Sequence, residues 1–114
     1  MIDIYLCWLD DNRQAIDSFA DYIELLKEEF NINITVDPHY DSRNFDTIAR
    51  SMDNEVLFLI DYNLEYSDGS GLNGNDIINQ IREHKPDCVI VFYSSKASQS
   101  ELRELIGHDP NIIC

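Results

Sequence analysis

At 114 residues, 44% of them hydrophobic, the chain is long enough for one sheet with covering helices and too short for two cores. Its 22 acidic residues against 8 basic ones give a formal charge of −14, which excludes nucleic acid and an anionic membrane as direct partners of this surface and favours a basic partner protein. The apolar runs are only strand-length and Asp3 stands where a secretory signal has a basic flank, so no transmembrane segment or signal is read and a cytoplasmic location is expected.

The first element is Ile2 to Leu9, an apolar run that stops at the acidic pair Asp10-Asp11. From Asn12 to Phe30, apolar residues recur at Ile16, Phe19, Ala20, Ile23, Leu26 and Phe30, a three-and-four spacing that marks one face of a helix. Asp11 or Asn12 can cap it, because a side-chain oxygen there accepts from the free N–H groups of the first turn. Ile32, Ile34 and Val36 then alternate with Asn33 and Thr35, the pattern of a strand with one wet face, and Pro38 is expected to end it. A second helix is predicted over 42–52, with Phe45, Ile48, Ala49 and Met52 inward.

Val56 to Ile60 is a second continuous apolar run, which reads as a strand buried on both faces, and it ends at Asp61. The stretch between Asn63 and Gly74, rich in Gly, Ser and Asp, is expected to be an exposed, mobile loop. Within it, Asp68 to Asp76 resembles a calcium loop only superficially, since Leu72 and Asn79 stand where oxygen ligands are needed. A helix over 75–84 buries Ile77, Ile78 and Ile81 before Pro86, and Cys88 to Tyr93 is the third buried strand, ending at Ser94. Ser98 and Glu101 form a capping-box pattern ahead of Leu102, Leu105 and Ile106, Gly107 stops that helix, and Asn111 to Cys114 begins a last strand. The alternation predicts a three-layer α/β sandwich around a central parallel sheet, with the flavodoxin-like order 2-1-3-4-5, a short last strand and no fifth helix.

Three cysteines, an odd count, stand far apart at Cys7, Cys88 and Cys114, each in an apolar stretch, and read as reduced core residues in preference to a disulfide framework or a zinc site. His39, His84 and His108 fall in predicted loops or helix ends and read as solvated. The acidic residues are the informative ones. In an open parallel sheet, ligands bind at the carboxyl edge of the strands, so neighbouring first and third strands would bring Asp10, Asp11 and Asp61 into one pocket. Two like charges about 4 Å apart repel by roughly 4 kcal/mol at an effective dielectric near 20. Oxygen-only ligands favour a hard divalent ion, and few dedicated ligands suit Mg²⁺.

An acidic pair after strand one, an aspartate ending strand three, a hydroxyl residue ending strand four and a glycine opening helix three, in that order, resemble the receiver domain of two-component response regulators over nearly the whole chain. The resemblance implies that Asp61 is the phosphoacceptor, attacking a phosphohistidine of a sensor histidine kinase or phosphotransfer protein. It further implies that Asp11 binds Mg²⁺ directly, Asp10 acts through a metal-bound water, the Asn63 carbonyl completes the metal ligands, and Ser94 contacts the phosphoryl group. The product would be a signalling switch read by an output domain or partner protein, with homodimerisation among the implied assemblies, and not a turnover enzyme.

The family's strand-five lysine would fall about two residues past Cys114, and its strand-five aromatic is replaced by Ile112-Ile113-Cys114. Residues 1–114 are therefore expected to be a receiver-like domain that is incomplete or atypical at its C-terminus. The alternative is a pseudo-receiver, an interaction module of the same fold not regulated by phosphorylation. A phosphohydrolase of the haloacid dehalogenase type is disfavoured, because Asn63 stands two residues after Asp61 where those enzymes carry a general-acid Asp. Taken singly, the acid pair is most simply a helix cap and Ser94 a strand-end hydrogen-bonder, with Ser95 one register step away. Their conjunction carries the reading.

Overall fold

A computed structural model describes residues 2–53, 55–64 and 71–114. Its elements are β1 (Ile2–Leu9), α1 (Arg13–Phe30), β2 (Ile32–His39), α2 (Phe45–Arg50), β3 (Leu57–Asp61), α3 (Gly74–His84), β4 (Ile90–Tyr93), α4 (Gln99–Ile106) and β5 (Ile112–Ile113). The five strands form one parallel sheet in the order β2-β1-β3-β4-β5, as the alternation of elements predicts. Much of the loop between Asn63 and Gly74, with Asp68 of the calcium-like stretch, lies outside the described residues.

Strand alternation sorts the core into two layers. Leu6, Ile34 and Ile23 pack on the α1 side, with Leu57 and Leu59 against them. On the other side Cys7, Leu9, Phe58, Ile60, Ile90 and Phe92 meet Phe45 of α2, Ile77, Ile78 and Ile81 of α3, and Leu102 of α4. Asp10, Asp61 and Tyr93 belong to the α1-facing set, because they continue the parity of Trp8, Leu59 and Val91.

Four elements differ in their boundaries from the sequence reading. β2 runs through Pro38 to His39, since β2 is an edge strand and a missing N–H there breaks no ladder on the side facing away from β1. α2 is a six-residue helix instead of the eleven-residue one expected, because Asn44 sits in the left-handed region at φ 64 and blocks an earlier start. β4 begins at Ile90 and β5 is two residues long, although Phe58 N–H still donates to the Val89 carbonyl at 3.1 Å. Among the described residues no helix is long and apolar enough to cross a membrane.

Candidate functional site

Register builds the site. Leu9 pairs with Ile60 across β1 and β3, so the next residues, Asp10 and Asp61, come level at the carboxyl edge of adjacent strands. Carboxylate oxygens of Asp10, Asp11 and Asp61 all lie within 4.8 Å of one another. Asp10 and Asp61 are only 5% and 8% exposed, so the cluster sits in the wall of the domain and not on a solvated face.

Each carboxylate is held by its local chain. Asp10 Oδ1 accepts from Asn12 N–H at 2.8 Å, closing the turn that leads into α1, and Asp10 Oδ2 accepts from the Tyr93 hydroxyl at 2.7 Å. The Tyr93 oxygen in turn accepts from Trp8 Nε1 at 2.6 Å, so the single tryptophan connects to the cluster through one hydroxyl. Asn12 caps α1, its Oδ1 accepting from Gln14 and Ala15 N–H groups at 3.1 and 3.4 Å. Asp11 is thereby left to face the cluster, and among the described residues its Oδ2 is buried without a hydrogen-bond partner. Asp61 Oδ1 accepts a long bond from Asn63 N–H at 3.4 Å.

The electrostatics follow from this packing. Burial first, then the Asp10 and Asp11 charges, push the Asp61 carboxyl from an ordinary 3.8 up to about 7, against the lowering pull of backbone N–H groups of Asn63 and Tyr62. Burial also raises the Tyr93 hydroxyl well above the usual phenol range, so it stays a donor to Asp10. An all-oxygen donor set with one orphaned buried oxygen fits a hard divalent cation, which would satisfy Asp11 Oδ2 and relieve the repulsion that holds a proton on Asp61.

Gly74 explains how closely α3 approaches. A Cβ there would stand 2.3 Å from the Asp61 carbonyl oxygen and 2.9 Å from Phe92, so only glycine lets the helix start abut the strand that carries Asp61. Gly74 N–H also donates to the Tyr62 carbonyl at 2.9 Å. Asn73 and Asp76 form a reciprocal capping box at the same helix start.

The remaining predicted residues divide. Asn63 follows Asp61 directly after Tyr62, and its side-chain oxygen accepts from the Ser94 hydroxyl at 2.6 Å. Ser94 Oγ also accepts from Lys96 and Ala97 N–H groups at 3.1 and 3.0 Å, which fixes it as the pivot of the turn into α4. Lys96 itself is exposed. Sequence reasoning missed Tyr93 and Trp8, which look like ordinary strand apolars; their parity with Asp61 and Asp10 was the available signal. His39 is also a correction: it ends β2, half-buried, with Nε2 3.0 Å from Asp37 Oδ2 and its ring edge-on to Phe45. A groove of about 560 Å³ lined by Asp3, Tyr5, Thr35, Met52 and Glu55 opens at the opposite, amino edge of the strands, away from the carboxylates.

A parallel order 2-1-3-4-5 with acidic residues gathered where β1 and β3 end defines a flavodoxin-like α/β domain with a charged site at its switch point. Within that class the chain has the fold of response regulator receiver domains. It superposes on a response regulator protein from Burkholderia pseudomallei, determined with a phosphorylated aspartic acid, calcium ion and citrate, at TM-score 0.68 and 18% identity over 97% of this chain. The chain spans 59% of that protein's length. A CheY-like receiver domain protein from Methanospirillum hungatei JF-1 matches at TM-score 0.59 and 15% identity, over 96% of this chain and 79% of that one. A protein described as an adenylate cyclase, from Rhodopirellula baltica, matches at 0.58 and 12%, over 92% and 85% respectively. No protein-family model and no curated protein matches the sequence.

Proposed function

We propose that residues 1–114 act as a phosphoacceptor receiver domain of a two-component signalling system, taking a phosphoryl group on Asp61 with Mg²⁺ in the Asp10, Asp11 and Asp61 pocket. The observation that carries the reading is this pocket: three carboxylates within 4.8 Å, one of them orphaned and Asp61 raised to about 7. The phosphorylated aspartic acid and calcium ion described for the Burkholderia protein on the same fold support it.

In the reaction an Asp61 carboxylate oxygen attacks phosphorus, a P–O bond forms, and the bond from phosphorus to the donor breaks with its electron pair leaving on the donor, an imidazole nitrogen or an acyl oxygen. Mg²⁺, when bound, supplies the charge that lets Asp61 attack as the anion and neutralises the phosphoryl oxygens. Asp11, Asp61 and the Asn63 carbonyl would hold it, with Asp10 acting through a metal-bound water. Asp10 is kept in place by Tyr93 and Asn12, and the Ser94 hydroxyl, which donates to the Asn63 side chain, would turn from it to a phosphoryl oxygen. The phosphoryl donor would be a sensor histidine kinase or phosphotransfer protein in the cytoplasm, and the added charge would bias a surface read by an output domain or partner.

One observation favours a pseudo-receiver. Ser94 Oγ already has three partners, the Asn63 side chain and two N–H groups, and phosphoryl contact requires it to leave Asn63. Intact mass after incubation with acetyl phosphate and Mg²⁺ separates the two. A single labile phosphoryl adduct on the native chain and none on Asp61→Asn is expected; no adduct on either makes the interaction-module reading the correct one.

A further inference from the structure

A second cluster of ligating side chains lies on the other face of the sheet. β1 and β2 pair so that Cys7 is level with Asp37 and Leu9 with His39. Alternation then sends Cys7, Asp37 and His39 to the same side, the one covered by α2. A thiol, a carboxylate and an imidazole converge there with ligand atoms all within 4.8 Å. Ligands of a tetrahedral Zn²⁺ with bonds of about 2.0–2.3 Å stand roughly 3.4–3.8 Å apart, so side-chain adjustments of about an ångström close the set.

The donors select the ion. Sulfur and imidazole nitrogen are poor ligands for Mg²⁺ or Ca²⁺ and good ones for a borderline-soft ion. We propose that Cys7, Asp37 and His39 form a Zn²⁺ site on the β1–β2 sheet face, separate in chemistry and position from the all-oxygen pocket at the strand ends. Supporting contacts are already present. His39 Nε2 stands 3.0 Å from Asp37 Oδ2, and the Phe45 ring packs edge-on against the His39 ring at 5.4 Å, which orients two of the three ligands. Cys7 is fully buried, whereas Asp37 and His39 side chains are 30% and 18% exposed, so the ion enters from the β2 edge and keeps a water as its fourth ligand. Binding forms a Zn–S bond and releases the Cys7 thiol proton to solvent.

This departs from the reading of Cys7 as a core thiol only, because the register that brings His39 beside it is not visible in linear spacing. The site also pins edge strand β2 to β1 without requiring phosphorylation.

The test is Zn²⁺ and Co²⁺ titration of the reduced, chelator-treated chain, with saturating Mg²⁺ occupying the acidic pocket. Expected are one tightly held Zn²⁺ per chain and a thiolate-to-cobalt charge-transfer band, both retained in Asp61→Asn and Cys114→Ser. Cys7→Ser loses the band, and His39→Gln loses tight binding. A band that survives Cys7→Ser, tight binding that survives His39→Gln, or no band on the native chain overturns the proposal. Should Cys7→Ser fail to fold, half-buried His39→Gln carries the test alone.

Discussion

Asp61→Asn separates the electrostatics of the pocket from its packing, because it removes a charge and keeps the shape. Asp61 is 8% exposed and its carboxyl is raised from 3.8 to about 7 by burial and by Asp10 and Asp11. The sign is set by which state holds the proton. Below about pH 4 both folded and unfolded chains are protonated at this residue and it costs nothing. Between about pH 4 and 7 the unfolded chain releases the proton and the folded chain keeps it, so native stability falls by about 1.4 kcal/mol per pH unit, and above about pH 7 the loss is complete. Across that window the loss sums to roughly 4 kcal/mol.

The gain of the Asn variant over the native chain should therefore grow from near zero at pH 4 to roughly 2–4 kcal/mol at pH 8, the lower end allowing for imperfect accommodation of the amide. Urea denaturation of both proteins across pH 4–8, in chelator, reads it. Added Mg²⁺ at about 100 times its Kd should stabilise the native chain by roughly 2.7 kcal/mol, flatten its pH slope, and affect the variant less. Parallel pH profiles, with no Mg²⁺ response in either protein, would refute both the raised carboxyl and the cation site.

Three further outcomes are expected. Gly74→Ala should destabilise by about 3 kcal/mol by denaturant titration, since the new methyl meets the Asp61 carbonyl oxygen at 2.3 Å, and it should impair phosphoacceptance by displacing that strand end. Tyr93→Phe removes the hydroxyl shared by Trp8 Nε1 and Asp10 Oδ2, which should cost about 1–3 kcal/mol, shift the Trp8 fluorescence maximum and weaken Mg²⁺ binding measured by fluorescence titration. Ser94→Ala leaves the Lys96 and Ala97 N–H groups without their shared acceptor and should cost about 1 kcal/mol, while slowing adduct formation with acetyl phosphate without abolishing it.

The fold was legible where hydrophobic period decides it. The apolar runs at Ile2 to Leu9, Val56 to Ile60 and Cys88 to Tyr93 supply the three central strands, although Ile2, Tyr5 and Val89 toward their amino ends are exposed, and the alternation of Ile32, Ile34 and Val36 marks β2 as the edge strand that it is. Asp10, Asp11 and Asp61 were legible as one cluster because strand ends converge by topology, whatever the side-chain detail. What could not be read depends on register and on single backbone angles. The Tyr93 hydroxyl reaches Asp10 across 83 residues, and Ser94 meets the Asn63 side chain across 31. The left-handed Asn44 shortens α2 with no composition signal of its own, and Pro38 stays in a strand only because that strand has a free edge. Cys7, Asp37 and His39 look unrelated in the sequence for the same reason: pairing of β1 with β2 assembles them.

The most direct test of the acceptor assignment is to trap the adduct by position. Native chain treated with acetyl phosphate and Mg²⁺, reduced with borohydride and digested, should yield the peptide containing residue 61 with its aspartyl phosphate converted to homoserine, and no other modified residue. Conversion at Asp10 or Asp11, a stable phosphate on Ser94 or Ser95, or unmodified Asp61 throughout would contradict the account.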